Sequence, residues 1–125
     1  MRFLLVHRLD ESQPDAYSPS AEVVAGVGRL MGEMTRAGVL LAAEGVLPSS
    51  TGAKVRASGG KRTVTDGPFA EAKEVIGGFA LLQVRSREEA IEWAARFADV
   101  IGDVEVEVRQ VSEGRPLEPG AGLGP

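Results

Sequence analysis

His7 is the single histidine of this 125-residue chain, and no cysteine accompanies it. Imidazole is the one side chain whose ordinary pKa, ~6.5, lies near neutral pH, so His7 is the best general acid or base available here. A catalytic imidazole needs a carboxylate to orient its ring, and Asp66 and Glu44 are the candidates. Glu44, Phe69 and Lys73 form the candidate substrate-binding set, with Lys73 placed to meet a substrate carboxylate. Each group also has a plainer use. His7 can end a strand as a satisfied histidine, Asp66 can close its own turn as an Asx-turn, and Lys73 can pair with Glu71 or Glu74 in solvent, where ion pairs are weak.

The missing residues narrow the chemistry. Without cysteine there is no disulfide framework, thiolate zinc site, iron–sulfur cluster or catalytic thiol, and one histidine cannot build a multi-histidine metal site. No metal and no cofactor are expected. Fourteen basic residues against 18 acidic ones give a net charge of −4, which does not favour nucleic acid or an anionic membrane as a partner. The apolar run Phe3-Leu4-Leu5-Val6 is too short for a signal peptide or a membrane span, so a soluble cytoplasmic protein is expected.

The elements that must position these groups follow from pattern. Residues 2–8 read as a first strand buried on both faces or nearly so, with Phe3, Leu5 and His7 on one face and Leu4, Val6 and Arg8 on the other. After a polar loop, Ser18 as N-cap with Pro19 at the first helical position predicts a helix. Its apolar stripe is Val24, Val27, Leu30, Met31 and Met34, and Gly38 is its C′ stop. Val39–Leu47 is strand-like, and Ala53–Thr65 reads as an inserted hairpin turning at Ser58-Gly59-Gly60-Lys61.

Asp66-Gly67-Pro68-Phe69 is a turn, and Ile76–Arg85 a further strand whose Gly77-Gly78 marks a bulge or the close approach of a backbone or ligand. Ser86-Arg87-Glu88-Glu89 is a capping box opening a second helix, which packs through Ala90, Ile91, Trp93, Ala94 and Phe97. Val104, Val106 and Val108 alternate with charges in a last strand. Residues 112–125 are rich in glycine and proline and are expected to form a flexible tail beyond a single domain of residues 1–111.

Two other features carry no separate function. Gly26-Val27-Gly28-Arg29-Leu30-Met31-Gly32 has the wrong spacing and the wrong setting for a dinucleotide loop, lying inside a helix pattern. Its glycines are expected to let the helix lie close to the sheet. Lys54, Arg56, Lys61 and Arg62 cluster on the hairpin without stacking aromatics, which reads as a solvated hairpin and not a nucleic-acid surface.

The resulting order, β-α-β-(hairpin)-β-α-β, is a ferredoxin-like α+β fold. Two helices on one face of the sheet leave the other face uncovered, and an apolar sheet face must be buried. A second copy covers it in a dimeric α+β barrel with a cavity between sheet and loops. The alternative is a monomer whose hairpin folds across the open face.

The string Thr65-Asp66-Gly67-Pro68-Phe69-Ala70-Glu71-Ala72-Lys73-Glu74, with Gly77-Gly78-Phe79, Glu44-Gly45-Val46-Leu47-Pro48 and Glu88-Glu89-Ala90-Ile91-Glu92-Trp93-Ala94, resembles the DGPF branch of the YCII-related proteins from Met1 to about Val111. The resemblance implies ferredoxin-like protomers in a dimeric α+β barrel. Some relatives in the wider group are lyase-like enzymes acting on chlorinated hydroxymuconate-type acids through a His/Asp pair. Their histidine comes from the first helix, where residues 22–34 of this chain hold none, so that pair does not transfer. DGPF proteins also resemble accessory factors of extracytoplasmic-function sigma factors. The expectation is therefore a homodimer holding a small, anionic organic molecule and acting on it by cofactor-free acid/base chemistry of the lyase or isomerase kind, or alternatively a sigma-factor accessory protein.

Overall fold

The computed structural model describes residues 1–113. Strand β1 (Arg2–Leu9) leads into helix α1 (Ala21–Arg36) and strand β2 (Leu40–Gly45). A single 3₁₀ turn (Ser49–Thr51) precedes the hairpin of β3 (Ala53–Ser58) and β4 (Lys61–Asp66), and β5 (Val75–Gln83), α2 (Arg87–Ile101) and β6 (Val106–Gln110) complete the order. The main sheet runs β2-β5-β1-β6 with antiparallel neighbours throughout, the ferredoxin-like arrangement. The hairpin is a separate two-stranded sheet whose one substantial packing is between its own strands. It does not fold across the open face of its own main sheet, which removes that alternative.

Register sorts the side chains onto two faces. Phe3 and Leu5 of β1 lie opposite Leu82 and Ala80 of β5 and opposite Gln110 and Val108 of β6. Phe3, Leu5 and Leu82 form the core with Leu30 and Met34 of α1 and Ala90 and Ala94 of α2. His7 continues that helix-facing row, because side chains alternate along a strand. Leu4, Val6, Leu81 and Phe79 share the opposite face, where Leu4 and Val6 stay half-exposed. In the single chain, β1 is thus buried on one face and not on both.

Helix α1 starts two residues later than expected. Ser20, not Ser18, is the N-cap, and its hydroxyl accepts the Val23 N–H at 3.2 Å. The earlier residues are committed to loop turns, with Ala16 N–H donating to the Gln13 carbonyl and Ser18 N–H to that of Asp15. At the other end Gly38 takes φ +73°, and the N–H groups of Gly38 and Val39 return to the carbonyls of Thr35 and Met34. This Schellman closure buries Val39 beside Met34. The stripe of α1 divides: Leu30 and Met34 are buried, whereas Val24 is 57% exposed.

Gly26 brings α1 close to α2 and not to the sheet, since a Cβ there would lie 2.9 Å from Val100 Cγ1. Helix α2 opens on half of the expected box. Ser86 Oγ accepts the Glu89 N–H, but the Glu89 carboxylate reaches the N–H of Arg85 and not that of Ser86. Ala90, Trp93, Ala94 and Phe97 pack inward as expected, while Ile91 is exposed. The expected tail lies, from residue 114 onward, outside the described residues.

Candidate functional site

Between α1, α2, the helix-facing side of the sheet and the loop of residues 10–20 lies an open cleft of about 1470 Å³. Val24 and Val27 of α1, Trp93 and Phe97 of α2 and His7 of β1 line it, which accounts for the exposure of Val24. It is larger than the roughly 300–1,000 Å³ of an ordinary small-molecule pocket, so a small organic molecule would fill only part of it.

His7 is fixed by packing on two sides. Its ring lies 5.2 Å from that of Phe97 at a 45° tilt. On the other side it rests over Gly77 and Gly78, where a Cβ would come within 2.8 Å of ring atoms in each case. The β1–β5 register shifts at this point, between His7 and Arg8. The glycine pair therefore marks both a bulge and a close approach, and what approaches is the imidazole. No carboxylate pairs with His7 among the described residues. Burial alone holds its pKa below the ordinary 6.5, so the ring is unprotonated at neutral pH and free to accept a proton.

That shift predicts a pH signature. A neutral, half-buried imidazole must gain a proton more easily in the unfolded chain, so its contribution is complete above about pH 6.5 and declines as pH falls toward the folded-state pKa. Asp10, Glu11, Glu89 and Glu107 are held below their ordinary values of 3.8 to 4.5 by hydrogen bonds, so their contributions fade only at lower pH. Melting temperature should drop as pH falls below about 6.5, and His7→Gln should flatten that slope in a thermal melt series.

The other expected site residues divide. Glu44 lines the cleft, but it stands opposite Phe79 in the β2–β5 ladder and so projects from the sheet face away from His7. Asp66 and Phe69 belong to the hairpin and its closing turn, outside the cleft. Lys73 also lies outside the lining, close enough to Asp10 to favour its ionised form. The structure does not bring His7 together with Asp66.

The Asp66-Gly67-Pro68-Phe69 turn, whose Gly67–Pro68 peptide is cis, has a different role. Its N–H groups do not go to the Asp66 carboxylate as an Asx-turn requires. Gly67 N–H donates to the Gly52 carbonyl at 2.9 Å, and Phe69 N–H to Ser49 Oγ at 3.0 Å. Ser49 in turn donates its N–H and hydroxyl to the Glu11 carboxylate, at 2.6 and 2.5 Å, and Tyr17 donates its hydroxyl to the same group at 2.7 Å. These bonds hold the Glu11 carboxyl below its ordinary range, while burial and the carboxylate push the Tyr17 hydroxyl up to about 12. The turn thus ties the hairpin base to the loop that walls the cleft. Lys54 lies 4.4 Å above the Phe69 ring and covers it.

Glu11, Ser49 and Tyr17 carry no sequence signal for this network, being polar residues in stretches that read as loops. The remaining lining sets the cleft's charge. Asp10, Asp15, Glu74, Asp103 and Glu105 contribute carboxylates, against Arg8 as the basic residue of the lining. Among the described residues no three acidic or histidine side chains converge to hold a metal ion, and no helix is long and apolar enough to cross a membrane.

Fold and cleft together define a ferredoxin-like α+β protein that presents one imidazole to a carboxylate-rimmed cleft. The chain belongs to the family of the YCII-related domain, whose model matches residues 1–113. It is also similar to an uncharacterized protein of Rhizobium meliloti (strain 1021), 34% identical over 87 residues that cover 68% of this chain and 70% of that protein.

Proposed function

We propose that this protein, a DGPF-type member of its family, is a homodimer that binds a small organic molecule in the helix-side cleft and moves a proton on it through His7. The observation that carries the reading is the imidazole itself: half-buried, neutral, held by Phe97 and the glycine pair, and facing the cleft with no carboxylate partner among the described residues. A neutral imidazole takes a proton from an acidic C–H or O–H and returns it to another atom of the same molecule, an isomerase-like or lyase-like step that needs no cofactor. The lining changes the expected ligand. Five carboxylates, Glu44 being turned to the other sheet face, against one guanidinium repel an organic acid and favour a neutral or cationic molecule. The second copy covers the open sheet face, where Leu4, Val6, Leu81 and Phe79 form an apolar stripe.

A thermal-shift panel of small neutral, cationic and carboxylate compounds tests the assignment. Neutral or cationic compounds should raise the melting temperature, a ligand at 100 times its Kd adding about 2.7 kcal/mol of stability. His7→Ala should abolish any turnover of such a hit followed by NMR. Stabilisation by carboxylates alone overturns the charge argument, and full turnover by His7→Ala overturns the role of the imidazole. The alternative accessory role needs a surface for another protein, and the exposed hairpin supplies one.

A further inference from the structure

All twelve residues of β3 and β4 are exposed. A two-stranded hairpin alone is marginal in water and needs a covered face for independent stability. This one is amphipathic. Val55 and Val64 face each other across the ladder, 66% and 59% exposed, and share their side with Ala53 and Ala57. Lys54, Arg56, Lys61, Thr63 and Thr65 take the other side, and Arg62, opposite Ala57, flanks the valines. The hairpin holds four basic residues and one acidic residue in a chain of net charge −4. Arg56, Lys61 and Arg62 form no ion pair among the described residues.

The complementary surface lies on the same chain. Leu47 is 73% exposed, and Val46, Ile76 and Phe79 are also exposed at the β2–β5 end of the sheet. Val46 N–H bonds the Gly77 carbonyl, and Phe79 lies opposite Glu44, which sets these apolar groups together. Glu44 and the nearby Glu74 are likewise without an ion pair among the described residues. Ile76 stands opposite Arg8 and Phe79 opposite Val6, so this patch continues the open sheet face. The hairpin has no substantial packing on its own chain's patch.

We infer that the β3–β4 hairpin is an arm that docks on a second copy of this chain, its valines on the partner's Val46, Leu47, Ile76 and Phe79 and its Arg62, on the same side, against the partner's Glu44 and Glu74. A two-fold arrangement satisfies both arms at once, because arm and patch are self-complementary. The inference rests on the dimer proposed above, and the patch it uses is continuous with that open face. Each arm then reaches the partner's Glu74, which belongs to the cleft lining, so the dimer also shapes the ligand site.

The test uses the full chain, with dimer affinity read by sedimentation. Arg62→Glu, and separately Glu44→Lys, should each weaken dimerisation roughly tenfold or more. Mixing the two charge-swapped proteins should restore wild-type affinity in the heterodimer. Because the chain lacks cysteine, a mixture of Val64→Cys and Ile76→Cys proteins should form a mixed disulfide that neither forms alone. A dimer of unchanged affinity in both charge swaps, with no mixed disulfide, overturns the arm and leaves the sheet-face dimer standing. A wild-type chain that stays monomeric overturns both.

Discussion

Gly67→Ala should cost about 3 kcal/mol or more of stability and expose the hairpin base to proteolysis. A Cβ on Gly67 would sit 1.7 Å from the Ser49 carbonyl oxygen and 2.6 Å from its carbonyl carbon. Both are backbone atoms, so no rotamer change relieves the overlap. The turn must lift away, and with it go the bond from Gly67 N–H to Gly52 and the bond from Phe69 N–H to Ser49 Oγ. Ser49 then loses one of the partners that position it against Glu11, and the loop beside the cleft loosens. Urea unfolding should show the loss in the midpoint, and limited proteolysis should show new cleavage between residues 49 and 70. An unchanged midpoint contradicts the prediction.

Gly78→Ala is expected to have the second large effect, about 2–3 kcal/mol, with an altered imidazole position. Here a Cβ would meet the Glu44 carbonyl oxygen at 2.8 Å and His7 Cε1 at 2.8 Å. The first neighbour belongs to the β2–β5 ladder, so strand separation is the route to relief on that side. Gly77→Ala is the informative comparison. Its close neighbours are His7 Nε2 at 2.8 Å and the ends of His7 and Leu9 side chains at 3.0 Å, all of which can swing. Gly77→Ala should therefore lose less stability than Gly78→Ala while still displacing the imidazole. The pH slope of melting below about pH 6.5 should change in both variants. Equal stability losses would contradict the distinction between backbone and side-chain neighbours.

Much of the architecture is legible because its signals are local. Gly38 after Arg36 and Ala37 ends α1 where a positive φ is needed, and Gly59-Gly60, at φ +58° and +78°, turn the hairpin. Ser86 caps α2 through its own hydroxyl. The alternation of Phe3, Leu5 and His7 put the imidazole on one face with the two apolar residues, and the packing of Phe3 and Leu5 against the helices made that face the helix-facing one. Where several residues compete for one local role, pattern is weaker. Ser18 and Ser20 both satisfy the N-cap preference, and only the turns drawn by residues 10–18 select Ser20.

The candidate site was less legible, since its parts meet over long separations. Asp66 and His7 were natural partners by residue type, yet they belong to different sheets. Glu11 and Ser49 lie 38 residues apart, and nothing in either segment names the other. The glycine pair at 77–78 announced a close approach without saying by what.

From composition and spacing alone, this chain had one imidazole, no thiol, a ferredoxin-like order of elements and a basic hairpin inserted into it. Those properties depend on residue type and on contacts within a few positions, which a linear string records. Tertiary structure decided that His7 faces a cleft beside Phe97, that carboxylates rim that cleft, and that the Asp66–Phe69 turn clamps onto Ser49. These outcomes depend on register and on packing between distant segments, where a shift of one residue along a strand turns every side chain to the opposite face.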